Sequence, residues 1–448
     1  MQGKYKKREK MTDIFGIISV IFSNAIIVYA VIVAIGLLLL RRPLTDVLVG
    51  ILKAVMGYFM LQAGLGVIIG VVSPIGSWIS QAFKITGVLT TFGPIFGMGS
   101  VKFGAVIGPA VLIAFLLNLL LARITPLKFV NITGHFFLMT SAWFCLIASA
   151  WNFSVLELIL LVGIWGGIYN WLGTAMNYWP LKNAPEKRLP KDYSIGPFEV
   201  VGYSLTVFVT KAVNKVLGED KITTETMEFP KGLEWLSDPS LAIASFAGLT
   251  FTIIGLLVGA NVVTPYAGGL PWWLYLLFSG AEFQAGMLIL LYGVRMLTAE
   301  LVRGFKGISE KLIPNAIPGL DYPTFYHFSQ LGVVTGFLGN FFGQLIGMGL
   351  QIVTHMPFVL IPDPLPAFFN GSIFGVYGNA YGGRRGAIIV PLIMGIAQSF
   401  LFMAIYPFTG GLAGSGFVWG YSDTYGFGLL FYIVVSILAP ILGIPLVK

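Results

Sequence analysis

Residues 198–216 read FEVVGYSLTVFVTKAVNKV. The run is apolar enough to enter a membrane, yet it opens on Glu199 and carries Lys211 and Lys215. It interrupts the longest polar stretch of the chain, Asn177 to Pro239, where eight Lys/Arg nearly balance nine Asp/Glu. That stretch reads as a solvated connection between two halves. Whether 198–216 crosses the membrane decides how those halves are oriented.

The rest of the chain sets the class. It has 448 residues, 56% hydrophobic and only 10% charged. A soluble domain carries about 25% charged residues, because its surface must stay polar however large its core. The composition is that of an all-α polytopic membrane protein. Apolar runs at Ile14–Leu40, Val55–Val72, Val101–Ala122, Val130–Ala150, Val155–Leu172, Leu241–Ala260, Pro271–Val294, Leu331–Val353, Gly386–Ile405 and Phe427–Val447 read as spans. Adding 198–216 brings the count to about eleven, each of roughly 20 residues. The run after KYKKREK is too long for a signal-peptide core, so it reads as a retained first span. The net charge of +8 gathers at span ends, as membrane orientation requires, and does not call for a nucleic-acid partner. It leans toward an N-terminus in the cytoplasm and a multi-pass protein of the cell's inner (plasma) membrane. The single cysteine, Cys145, excludes an intrachain disulfide and cysteine-cluster metal sites. No metal and no cofactor is expected. GFKGIS and GLAGSG lack the surroundings of a phosphate loop.

Two pairs of segments match within the chain. The amphipathic stretches LTDVLVGILKAV (44–55) and LTAELVRGFKGI (297–308) align, and their spacing suits helices lying along the membrane surface. GPIFGMGS (93–100) and GSIFGVYG (371–378) align as well, through Gly93 and Gly97 with Gly371 and Gly375. The order of features predicts a duplication, 14–217 and 241–448, within one transporter unit whose dimerisation and core parts interleave along the chain. Six spans between copies, with 198–216 counted, make the repeat inverted, a mark of secondary transporters. The glycine tracts read as re-entrant hairpins that offer backbone groups to a polar solute, or as tight turns outside the membrane.

Ionisable and amide groups inside apolar runs are costly to bury, so each is a candidate for function. His135 binds a ligand or bonds a neighbouring helix. Asp321 is a site residue or a cap. Glu199 sits where a helix dipole favours an acid. Glu282 suits a coupling ion or an interhelical bond. Gln62, between small residues, suits a sugar-like ligand or helix packing.

GVRMLTAELVRGFKGISEKLIPNAIPGLD (293–321), ITGHFF (132–137), DYSIGPFE (192–199) and FFNGSIFGVYGNAYGGRRGAIIVPLIMG (368–395) together resemble the ascorbate-type enzyme IIC permease of the bacterial phosphotransferase system. The resemblance covers nearly the whole chain. It implies a homodimer with two inverted repeats, a V-shaped dimerisation domain and a mobile core that carries substrate across in an elevator-like step. It also implies a separate enzyme IIB that phosphorylates the sugar acid, with no phosphoryl-carrying residue on this chain. His135 matches the family's histidine and Asp321 its aspartate. Met139, Pro197, Phe198 and Glu199 stand where the family has polar residues, so the ligand-facing set here is His135, Asp321, Gln62, Met139, Phe198 and Glu199. Two functions follow. One is a permease for a sugar acid such as L-ascorbate. The other is a proton- or sodium-coupled carrier on the same fold, with Glu199, Glu282 and Asp321 as ion sites.

Overall fold

The computed structural model describes residues 40–447 except 84–86, 92, 186–187, 219, 227–231, 233–234 and 236–237, with isolated positions from 30 to 38. The expected first span, Ile14–Leu40, lies outside the described residues but for those positions. Ten long helices carry the described chain: α1 (Leu44–Phe83), α2 (Gly93–Ile124), α3 (Gly134–Ala148), α4 (Val155–Lys182), α5 (Val200–Leu217), α6 (Pro239–Val258), α7 (Trp272–Leu312), α8 (Gln330–Val353), α9 (Pro364–Ile405) and α10 (Phe427–Ile441). Among the described residues, eight segments are long and apolar enough to cross a membrane, or nine if the bent pair 244–258 and 260–266 forms one span. The protein is an all-α polytopic membrane protein. The stretch 198–216 is one of these helices, α5, and the least apolar, with a mean hydropathy of 1.2. Its lysines are exposed near its C-terminal end, where the helix dipole favours cations, while Tyr203, Thr206, Val207, Thr210 and Val213 are buried.

Several expected spans take other forms. Val130–Ala150 contracts to α3, 15 residues of which all but His135 are buried in protein. At about 22 Å it is shorter than the hydrocarbon core, so it is an interior helix. The amphipathic stretches are not separate surface helices. They are the opening turns of α1 and the closing turns of α7.

Helix α9 turns back on itself. Gly383 has φ 60° and ψ −152°, outside helical geometry. Gly378 and Gly386 then come so close that a Cβ on either would overlap the other's backbone. In a continuous helix they would stand about 12 Å apart. The two arms, 364–382 and 384–405, flank α8. Gly375 and Gly371 meet Gly332 and Gly336 in antiparallel order, whereas Leu392 and Ser399 meet Gly343 and Gly347 in parallel order. Both glycine tracts therefore lie inside helices. Gly371 and Gly375 serve the close approach of α8, and Gly93 and Gly97 lie in the first turns of α2. The reversal that a hairpin needs sits at Gly383 instead, and in α2 the helical geometry breaks at Phe103.

Six short strands interrupt the helices: β1 (Gly87–Thr91), β2 (Phe129–Asn131), β3 (Ser194–Ile195), β4 (Ile317–Leu320), β5 (Phe358–Leu360) and β6 (Phe417–Val418). They form two sheets, β5–β1–β6 and β2–β4–β3, with every pairing parallel. The central strand of each sheet comes from the opposite half of the chain. The element order also repeats. Leu44–Phe83 answers to Trp272–Leu312, β1 to β4, β2 to β5 and β3 to β6. In that register the tract at 371–375 corresponds to α3, not to the tract at 93–97. The likeness of the two tracts reflects shared packing demands on small residues.

Helices α1, α6 and α7 pack together, with Gly64 against Gly286 where α1 crosses α7. The remaining helices form a second group around the two sheets.

Replacing Gly375 by Val forces overlap with the α8 backbone and should cost about 1–3 kcal/mol, read as a lower melting temperature of the purified protein. Gly66→Ala is the control, because a Cβ there meets open space. Equal melting temperatures for the two variants would contradict the packing role.

Candidate functional site

The C-terminal ends of β2, β4 and β3 point the same way, because the three strands are parallel. Each therefore delivers its next residues to one edge. Strand β2 leads through Thr133 to His135 on the first turn of α3. Strand β3 leads through Pro197 and Phe198 to Glu199, and β4 leads directly to Asp321. His135 Nε2 and Asp321 Oδ2 face each other across 3.8 Å. The Asp321 side chain is 40% exposed against 15% for His135, so the pair opens on the aspartate side. Asp321 Oδ1 also accepts the Tyr322 N–H at 2.8 Å, capping the 3₁₀ helix Tyr322–Phe328. Helix α3 starts at the same edge, and Thr133 makes no side-chain cap there. Helix N-termini of this kind favour an anion.

A ladder of buried amides holds the edge in place. Asn131 Nδ2 donates to Asn170 Oδ1 at 2.6 Å, and the Asn131 N–H donates to Asn118 Oδ1 at 3.0 Å. The Thr133 N–H donates back to Asn131 Oδ1. Asn177 Nδ2 donates to the carbonyls of Gly196 and Phe198. The Asn177 bonds satisfy carbonyls that follow the two-residue β3, and the Asn118 and Asn131 bonds satisfy N–H groups at and after β2; an unpaired buried polar group would be expensive.

The other sheet brings its own strand ends to the same place. Strand β6 leads to Trp419, Tyr421 and Asp423, and β5 leads to Asp363, which caps α9. Glu199 is fully buried in a left-handed conformation, φ 61°. Its Oε1 accepts from Gln398 Nε2 at 2.7 Å, and its Oε2 accepts from the Ser422 N–H at 2.9 Å. Asp423, also fully buried, accepts the Glu199 and Val200 N–H groups at 2.7 and 3.2 Å. That pairing caps α5 across half the length of the chain. Gly202 is required beside it, because a Cβ there would overlap the Glu199 carboxylate.

An aromatic wall joins the two edges. Phe136 stacks on Phe198 with ring centroids 4.1 Å apart, and Phe198 meets Tyr421 and Trp419 at 4.8 and 5.3 Å. Met139 is buried one turn beyond His135. The structure thus gathers His135, Met139, Phe198, Glu199 and Asp321 in one region. Gln62 donates to Tyr58 on its own helix and Glu282 is exposed on α7, so neither is among the groups at the strand ends. Asp423, Gln398, Tyr322 and Tyr421 were missed by sequence reasoning. One signal pointed to Asp423: no other acidic residue follows Asp363.

With this geometry in view, comparison with known proteins decides the family. The profile of the EIIC-GAT family, "PTS system sugar-specific permease component", matches residues 20–423. The chain belongs to that family. It is accordingly a multi-pass protein of the plasma membrane. A curated relative in Mycoplasma pneumoniae, named "Ascorbate-specific PTS system EIIC component", is 26% identical over 422 aligned residues. The alignment covers 82% of this chain and 63% of that protein, so the chain spans less than two thirds of the relative's length.

Asp423→Ala should strand the Glu199 and Val200 N–H groups and lower stability by about 1–3 kcal/mol, while Asp423→Asn recovers part of the loss. Thermal unfolding of the purified variants measures it. A wild-type melting temperature for Asp423→Ala would contradict the capping role.

Proposed function

We propose that this EIIC-GAT chain is the membrane permease of a phosphotransferase system and moves a sugar acid such as L-ascorbate. The observation that carries the reading is the His135–Asp321 pair, partly open at the joined ends of β2 and β4. The imidazole donates to an oxyanion or hydroxyl, and the carboxylate accepts from hydroxyls. The start of α3 adds a positive end for the acid group. Phe198 and Met139 offer a carbon face, so fewer polar contacts fix the ligand than the family's polar residues would. The name of the Mycoplasma pneumoniae relative supports ascorbate. A separate enzyme IIB supplies the phosphoryl group, and this chain binds, orients and releases the sugar. Two inverted repeats, 14–217 and 241–448, account for the strand exchange between the sheets. The two groups of helices suit an elevator-like step, in which the group bearing the site slides against α1, α6 and α7 of a homodimer.

One observation favours a second reading, a proton-coupled carrier. Glu199 and Asp423 are buried side by side, each bonded to neutral donors. Two charged carboxylates so placed are costly unless they share a proton.

Uptake in proteoliposomes separates the two. With enzyme IIB and a phosphoryl donor inside, labelled L-ascorbate should accumulate as its phosphate ester. Accumulation of unmodified substrate on a proton gradient, with no donor present, would reject the first reading. Under the first reading, His135→Ala and Asp321→Ala each lose at least tenfold in affinity, measured by titration calorimetry, with the fold intact. Unchanged affinity in both variants would remove the pair from the site.

A further inference from the structure

A cavity of about 400 Å³ is lined by Arg188, Thr223, Glu225, Phe328 and Asn379, among others, and by none of the residues at the strand ends. Its volume falls in the range of small-ligand pockets, about 300–1,000 Å³. Three segments close around the first arm of α9 to form it. Arg188 Nη1 donates to the Ala380 carbonyl at 2.8 Å. Asn379 Oδ1 accepts the Thr224 N–H at 2.8 Å, and Asn379 Nδ2 donates to Glu225 Oε1 at 2.7 Å and to Ser329 Oγ at 3.1 Å. The cavity walls are thus fixed by side chains that are themselves held.

Two elements run from the strand-end site to this cavity. The 3₁₀ helix capped by Asp321 ends at Phe328, on the cavity wall. The first arm of α9 carries Asn370, bonded to the Gly420 carbonyl beside Tyr421, and nine residues later Asn379. That separation is about 14 Å along a helix. The strand-end site and Arg188 are therefore joined by two continuous elements.

We propose that this cavity is an antechamber that holds the sugar-acid anion before it reaches His135 and Asp321. The proposal rests on the sugar-acid reading above. Arg188 receives the acid group, since a guanidinium has five N–H donors and the bond to Ala380 uses one. Glu225 accepts from the ligand's hydroxyls, and Phe328 faces its carbon skeleton. The Glu225 carboxylate balances Arg188, so a hydroxylated monoanion fits and a doubly charged phosphate ester gains little.

Stopped-flow fluorescence of the full chain in detergent, with L-ascorbate as the probe, tests this. An on-path site outside the final complex sets rates and leaves affinity alone. Arg188→Gln should slow association and release alike, by roughly tenfold, with Kd within twofold of wild type; Arg188→Lys should restore most of the rate. Glu225→Gln is the second variant should Arg188→Gln fail to fold, and its rates should fall in the same paired way. Wild-type rates in both variants overturn the antechamber. A raised Kd with faster release puts Arg188 in the final site and overturns it too. If the wild type binds no L-ascorbate, the sugar-acid reading falls and takes this proposal with it.

Discussion

Each sheet takes its central strand from the opposite half of the chain. Strand β4 lies between β2 and β3, and β1 lies between β5 and β6. Irregular backbone at membrane depth must find every hydrogen-bond partner within the protein, since lipid supplies none. Here each half completes the other's non-helical segments. The exchange ties the halves together more firmly than helix packing alone, because a lost strand would leave both neighbours with unpaired peptide groups. It also fixes where the chain can be non-helical and polar, which is where a ligand can be met.

The site follows from that constraint. Parallel strands send their following residues to one edge, so His135 and Asp321 meet although 186 positions separate them (Thr133 bonds Gly319 across the same gap). The second sheet brings Asp363, Tyr421 and Asp423 toward the same region. Phe136 stacked on Phe198, with Trp419 edge-on to Phe198, then seals the junction between the two edges. Asp423 caps α5 and Glu199 bonds the second sheet's loop, so the stretch 198–216 is held at its start by residues more than 220 positions away. The helix with the weakest hydropathy among the candidate spans thus carries a buried polar anchor at its start. At that start the N–H groups of Glu199, Val200 and Gly202 and the Glu199 carboxylate are all bonded, and the lysines are exposed near the other end.

Parts of this were legible beforehand. Long apolar runs fix helices by composition, because a membrane helix satisfies its own backbone. His135 and Asp321 stood out because ionisable groups are rare in such runs. Other parts misled. The glycine tracts were paired by their letters, yet both are helical, and the element order places the tract at 371–375 opposite α3. Small residues recur wherever helices approach closely, so their pattern reports packing and not position in a repeat. The strands were invisible, since two to five residues of ordinary composition carry no period. Gln62 and Glu282 drew notice as polar groups in apolar runs, but one bonds within its own helix and the other is exposed.

By itself the sequence determined the membrane class and most of the helices, and it singled out His135 and Asp321, which the fold brings face to face. Those rest on local chemistry: hydropathy over about 20 residues and the cost of a buried charge. Tertiary structure alone decided the reversal at Gly383, the exchange of strands, the capping of α5 by Asp423 and the cavity at Arg188. Each of these depends on which distant segment supplies a hydrogen-bond partner or closes a space. No window of neighbouring residues contains that information.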